Sequence, residues 1–176
     1  MTTWPPTDTD LAAIAKGHLS YEMRTLWQQV KDPRLNYNAW DAHTSDSLLE
    51  AALVHLRVLD EFLTMPAART GPDRPRDNVV AEHYTGTTLA GFLTRGPDGD
   101  DELGDINAQL SHLAVRRRGS RLWPVTDMAC RCGKAMQQFV TAARPEFKPA
   151  LSEVRIQAGR LAGLCGTDPM VMTSTN

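Results

Sequence analysis

Apolar residues recur at every third or fourth position along most of this chain, the spacing that places them on one face of an α-helix. The first such stretch covers Leu11 to Val30, follows cap candidates at Thr7–Asp10, and ends at Lys31-Asp-Pro33. Alternation of apolar and polar residues with a period of two, the pattern of a half-buried strand, is almost absent. The pattern therefore predicts an all-α fold.

A second helix is predicted from the cap candidates Thr44–Asp46 to Met65-Pro66. Because it is apolar over most of its circumference, we expect it to be the central helix. The following segment, from residue 66 to about residue 76, is rich in proline, glycine and charged residues, which predicts a loop, and residues 95–101 are predicted to form a second loop. Together with the residues between them, these loops predict an irregular insertion. Within this insertion, residues 79–84 and 87–93 are typical of short helical pieces.

Further helical periods follow the insertion. Their predicted bounds are Asp101 to Gly119, Trp123 to Arg144 and Pro149 to Leu164. Together these segments predict an up-and-down bundle of four to five helices, with the irregular insertion between the second and third long helices. Residues 1–166 are expected to form this single domain, and residues 167–176 a flexible tail.

Composition places the chain among ordinary globular proteins, since 41% of its residues are apolar and 23% are charged. The formal net charge of −2 excludes a globally basic nucleic-acid binder but is compatible with a local basic patch. The first residues lack the basic and apolar regions of a signal peptide, and charges interrupt the longest apolar run, Leu53 to Leu63. We therefore expect a cytoplasmic protein without a membrane segment.

The three cysteines, Cys130, Cys132 and Cys165, are an odd number without a framework, which fits a reducing compartment. The close pair Cys130-Arg-Cys132 has no second ligand pair that would complete a structural zinc site, and Cys132 is expected to pack as a small apolar residue. The sequence also lacks phosphate-binding glycine loops, dinucleotide fingerprints and the paired ligands of helical metal sites. No cofactor and no metal are predicted.

The strongest chemical lead is the stretch from Asp105 to Arg118 in the third long helix. On a helical wheel with Asn107 at zero, the apolar stripe centres near ~280°, whereas His112 falls near ~140° and Arg116 near ~180°. An imidazole can move a proton near neutral pH, and arginines can stabilise phosphate charge. Alternatively, His112 packs at an interface, and the arginines favour a helix C-terminus through its dipole. The apolar stripe consists of Leu103, Ile106, Leu110 and Leu113.

The run Ile106-Asn107-Ala-Gln-Leu-Ser-His112-Leu113 and the earlier long helix Leu48–Leu63 resemble HEPN-like helical bundles of bacterial toxin–antitoxin and defence systems. The resemblance covers residues 40–143. It implies a dimer in which two copies of the motif helix line a shared cleft. It also implies metal-independent RNA cleavage by an arginine and a histidine that have four to six residues between them. The chain departs from this motif, because Asp105, Ile106 and Asn107 stand where the arginine is expected.

We therefore predict a HEPN-like protein that acts on or binds RNA in a bacterial toxin–antitoxin or defence context. If the protein is an enzyme, we expect it to be a metal-independent endoribonuclease. The expected partners are a second copy of the chain, RNA and a cognate protein. Arg57 could supply the missing charge, although a helix-surface ion pair with Glu61 is its default role. The alternative is a non-catalytic helical module for dimerisation or partner binding. The candidate catalytic residues are His112, Asn107 and Arg116, and the candidate binding residues are Arg57, Arg117, Arg118 and Arg121.

Overall fold

A computed structural model describes residues 6–32, 35, 42–67, 78–96, 101–110, 122–166 and 172–173. This part of the chain is mostly helical, which confirms the all-α prediction; the up-and-down order and the division into domain and tail stay predictions. The helices are α1 (Asp8–Ile14), a π-helical turn (Ala15–Leu19), α2 (Ser20–Lys31), α3 (Ala42–Thr64), α4 (Glu82–Thr85), α5 (Glu102–Leu110), α6 (Val125–Ala142), a 3-10 turn (Pro145–Phe147) and α7 (Ser152–Ala162).

One short antiparallel pairing accompanies the helices. Strand β1 (Leu122–Trp123) pairs with β2 (Met172–Thr173), with Leu122 opposite Thr173 and Trp123 opposite Met172. The pairing brings two residues of the C-terminal segment beside the start of α6. None of the helices in the described ranges is both long enough and apolar enough to cross a membrane.

The first predicted helix is confirmed from Asp8 to Lys31, and a reciprocal capping box starts it. The amide of Asp10 donates to the Thr7 hydroxyl at 3.2 Å, and the amide of Thr7 donates to the Asp10 carboxylate at 3.0 Å. The π-helical turn within this helix was not predicted. There, the Ser20 hydroxyl donates to the carbonyl of Ala15, five residues earlier, at 2.8 Å. One widened turn changes the hydrophobic period too little to be visible in the sequence.

Helix α3 contacts α2, α5 and α6, as expected of a central helix. It ends at Thr64, immediately before the predicted Met65-Pro66 boundary. Its predicted start is wrong, because the helix begins at Ala42 and the supposed cap Ser45 is completely buried within it. Its fully or almost fully buried apolar residues are Leu49, Ala52, Leu53, Leu56, Leu59 and Leu63.

The segment between α3 and α5 contains only the single turn α4 as regular structure among its described residues. The prediction of a helical piece at residues 87–93 is wrong. The buried carboxylate of Asp60 on α3 accepts the amides of Phe92 and Leu93 at 2.8 and 2.9 Å. Since two consecutive amides point at one carboxylate of another element, they are not available for a helical ladder.

Helix α5 follows the predicted pattern. Asp101 caps it, because its carboxylate accepts the amide of Gly104 at 3.0 Å. Ile106 is fully buried, and Leu103 and Leu110 pack against the core, so the apolar stripe is confirmed as far as Leu110. Leu113, the last member of the stripe, lies outside the described residues.

Helix α6 begins directly after Trp123-Pro124 and packs closely against α7, as the amphipathic patterns of both segments allow. Helix α7 is shorter than predicted, because residues 149–151 and 163–164 form turns at its two ends. The buried or partly buried apolar stripe of α6 comprises Val125, Met128, Ala129, Cys132, Ala135, Met136, Phe139 and Val140.

A disulfide between Cys130 and Cys165 ties α6 to the segment after α7. Their Cα atoms are 5.3 Å apart, within the usual range for a disulfide. The expectation of three cysteines without a framework is therefore wrong. Cys132 packs in the core as predicted, and its burial, together with the charge of Asp60, raises the pKa of its thiol.

Replacing Cys165 with serine is expected to lower the free energy of unfolding by about 2–3 kcal/mol, because the open chain has more unfolded conformations. Urea denaturation of the wild-type protein, with and without dithiothreitol, measures how much the disulfide contributes to the free energy of unfolding without any substitution. The Cys165→Ser variant should show no response to the reductant. Equal midpoints for oxidised and reduced wild-type protein would contradict a stabilising role for this bond.

Candidate functional site

The described residues include two of the seven predicted site residues, Asn107 and Arg57. The other five predictions fall on residues outside the described ranges and stay predictions. These five are His112, Arg116, Arg117, Arg118 and Arg121.

Asn107 lies on α5 and is exposed, immediately after the fully buried Ile106. A helical residue turns by about 100° relative to its neighbour, so one side of α5 faces the core and an adjacent side faces solvent. The amide group of Asn107 can therefore donate and accept hydrogen bonds at the surface. Its predicted role in a catalytic site stays a prediction.

Arg57 lies on α3 and forms the ion pair that its spacing predicts. Its Nε donates to Oε1 of Glu61, one turn later, at 3.1 Å. Both side chains are partly exposed, so the pair contributes little to stability. Since α3 contacts α5, Arg57 and Asn107 lie on neighbouring helices, a relationship that the sequence did not show. That Arg57 provides a positive charge close to His112 stays a prediction.

The position of α5 is maintained by a partly buried ion pair between Glu102 and Arg131 of α6. The guanidinium donates through Nη2 to Oε1 at 2.6 Å and through Nη1 to Oε2 at 3.0 Å. Burial opposes ionisation of Glu102, but the hydrogen bonds from Arg131 and Thr94 lower the pKa of the carboxyl below its usual value. The carboxyl is therefore ionised at neutral pH, and the two-point contact orients α5 against α6.

The loop at residues 91–95 connects this ion pair to a second buried acid, Asp60. Asp60 binds the loop through two amides and accepts a hydrogen bond from Nη2 of Arg95. The same loop reaches the ion pair, because the amide of Thr94 donates to Glu102 at 2.9 Å and Arg131 donates to the carbonyl of Phe92. Hydrogen bonds and ion pairs of charged groups thus join α3, the loop, α5 and α6.

Sequence analysis missed this network. A signal was present for Asp60, since a helical wheel places it among Leu53, Leu56 and Leu63 on the buried face of α3. A carboxylate at such a position requires hydrogen-bond donors from other elements. The identity of the donors depends on the packing of a loop without periodicity, and no local pattern encodes it.

The described residues offer no obvious metal site. Within the described ranges, no group of three or more histidine, cysteine, aspartate or glutamate side chains is arranged to hold an ion. Asp60 and Glu102 already have cationic or amide donors as partners. Comparisons with family models, curated proteins and solved structures returned no match for this chain.

Proposed function

We propose that the chain is a HEPN-like helical protein that binds RNA on the exposed face of α5 and on the basic segment that follows it. The observation that carries the proposal is the exposure of Asn107 beside the fully buried Ile106. An α5 oriented in this way turns a polar side to solvent at the point where the chain continues to His112. Four arginines follow within nine residues of that histidine.

The chemistry of these residues suits a phosphate backbone. Guanidinium groups bind phosphate oxygens in a two-point geometry, and an exposed amide can bind a base edge or a ribose hydroxyl. Arg131, which also pairs with Asp127, offsets part of the negative charge of the acidic Glu102. In the catalytic case, His112 would take the proton of a ribose 2′-hydroxyl, whose oxygen would attack the adjacent phosphorus and displace the 5′-oxygen of the next nucleotide. Arg116 would stabilise the negative charge on the phosphoryl oxygens, and the leaving oxygen would take a proton from the imidazolium or from water.

The experiment is a titration of fluorescein-labelled single-stranded RNA, followed by anisotropy at several salt concentrations. The double variant Arg117→Ala, Arg118→Ala should bind at least about tenfold more weakly and reduce the salt slope by about 1–2. The matched control is Lys134→Ala, Arg155→Ala, which removes two exposed charges from α6 and α7 and should bind like the wild type. Equal losses in both double variants would overturn the assignment of the surface.

Cleavage is measured on the same RNA in the presence of EDTA. His112→Ala should abolish cleavage and retain most of the binding, since a proton acceptor contributes to the reaction rather than to affinity. Binding without cleavage by the wild type would support an RNA-binding protein that is not a nuclease. Cleavage that survives in His112→Ala would eliminate the catalytic role.

The alternative, a dimerisation or partner-binding module, is favoured by one observation. Tyr21, Val54 and Val58 are apolar residues with exposures of 51%, 41% and 39%, and they lie on the adjacent helices α2 and α3. This function predicts no RNA binding in the titration. A cytoplasmic location belongs to the same proposal, although the Cys130–Cys165 bond is more typical of oxidising compartments.

A further inference from the structure

A cavity of about 520 Å³ lies where the first helix passes α3. The π-helical turn and α2 line one side of it, α3 lines the other, and residues 78–80 complete the wall. This volume lies within the range of small-molecule sites. The π-helical turn is a second indication, because such turns occur frequently at functional sites.

The walls of the cavity are mainly apolar. The deep positions are occupied by buried side chains such as Leu19, Leu59 and Val80, and Phe62 contributes an aromatic ring. Such walls favour the apolar body of a ligand through the removal of its surface from water. Apolar walls alone bind many apolar compounds and do not select among them.

Selectivity would come from the polar side chains in the walls, among which are two glutamates. Glu22 of α2 binds Nδ1 of His55 through Oε2 at 2.5 Å, and Glu61 of α3 binds Nε of Arg57 through Oε1. The other oxygen of each carboxylate has no hydrogen-bond partner among the described residues.

Glu22 and Glu61 are the acidic side chains of the cavity wall, and each keeps one carboxylate oxygen beyond its contact with His55 or Arg57. His18 is the other ionisable side chain in the wall. Asn78 in the same wall adds a side-chain carbonyl as a further acceptor. A primary ammonium has three donors and no acceptor, so the carboxylate and amide oxygens in the wall suit it as acceptors.

We propose that this cavity binds a small molecule that carries a primary ammonium group on an apolar body. The ammonium binds between Glu22 and Glu61, and the apolar part packs against Phe62 and the deep aliphatic residues. The proposal does not rest on RNA binding, because the cavity shares no residue with the surface of α5. Failure of one proposal therefore leaves the other intact.

The test uses three probes with a common phenyl body: phenethylamine, phenethyl alcohol and phenylpropionate. Calorimetric titration of the full chain should show that the amine binds at least about tenfold more tightly than the alcohol, and the acid should not bind. In amide NMR spectra, the amine should shift the signals of Val58, Phe62 and Val80. Equal binding of amine and alcohol, absence of binding by the amine, or shifts confined to other residues would each overturn the proposal.

Glu22→Gln and Glu61→Gln should each weaken binding of phenethylamine by about five- to tenfold, since each removes one charged acceptor. Glu146→Gln is the matched control, because it makes the same change at an exposed residue beyond α6 that is absent from the cavity wall. Equal weakening in the control and the two cavity variants would overturn the proposal. If a cavity variant fails to fold, the probe series and the NMR shifts of the wild-type protein still test whether the cavity binds the amine.

Discussion

Replacing Asp60 with alanine is expected to lower the free energy of unfolding by about 3–5 kcal/mol, the largest effect predicted for this protein. The carboxylate is completely buried and accepts two backbone amides, at 2.8 and 2.9 Å, and one guanidinium group. The substitution leaves the amides of Phe92 and Leu93 without acceptors in a dry environment, which is the main cost.

Chemical denaturation followed by circular dichroism measures this difference. Asp60→Asn should fall between alanine and the wild type, because an amide oxygen can still accept from the loop while the charge that attracts Arg95 is lost. The control is Asp127→Ala, which removes a 58% exposed carboxylate paired with Arg131 and should cost less than about 1 kcal/mol. Similar midpoints for the two alanine variants would show that the Asp60 network does not stabilise the fold.

Replacing Gly133 with alanine is expected to destabilise the protein by about 3 kcal/mol, although alanine is the better helix former. A Cβ at this position in α6 would lie 2.3 Å from the backbone nitrogen of Ala162 and 2.8 Å from the carbonyl oxygen of Ala158. Both atoms belong to the backbone of α7, so the methyl group can be accommodated only if the two helices move apart.

Gly159→Ala, in helix α7 opposite α6, is expected to stabilise the protein. A Cβ there would meet only the Nε2 atom of Gln137, at 3.9 Å, an ordinary contact. The variant should therefore gain about 0.5–1 kcal/mol from the lower entropy of the unfolded chain. Thermal and urea unfolding of both variants measure the two stability changes. A stable Gly133→Ala protein would mean that α6 and α7 pack less closely than the structure indicates.

At Asp60 and Gly133, contacts with distant parts of the chain determine the expected effect, and the local sequence pattern does not. Apolar spacing located the long helices correctly, because burial of one helical face requires a regular spacing along a few turns. The cap at Thr7 was also predictable, since its partners lie within three residues. The cap proposed at residues 44–46 was wrong because α3 already begins at Ala42, so that Ser45 lies within the helix and is buried.

The remaining errors involve partners distant in the sequence. The segment 87–93 has a composition suited to a helical piece, but Asp60 binds its amides from more than 30 residues away. Cys130 and Cys165 are separated by 35 residues, and only the packing of α6 against α7 makes their bond possible. No periodicity relates such residues, because the contact depends on how complete elements are arranged.

The same distinction applies to the candidate functional residues. By itself, the sequence determined the helical segments, the buried stripe of α5 and the outward placement of Asn107, because these follow from the rotation of a helix relative to an apolar face. Only the tertiary structure decided that Arg57 and Asn107 lie on adjacent helices and that Glu102 and Asp60 anchor α5 and its loop. It also decided that a cavity with two carboxylates in its wall lies where the first helix passes α3. These features arise from the packing of elements that are distant in the chain, and amphipathicity specifies which face is buried but not which partner covers it.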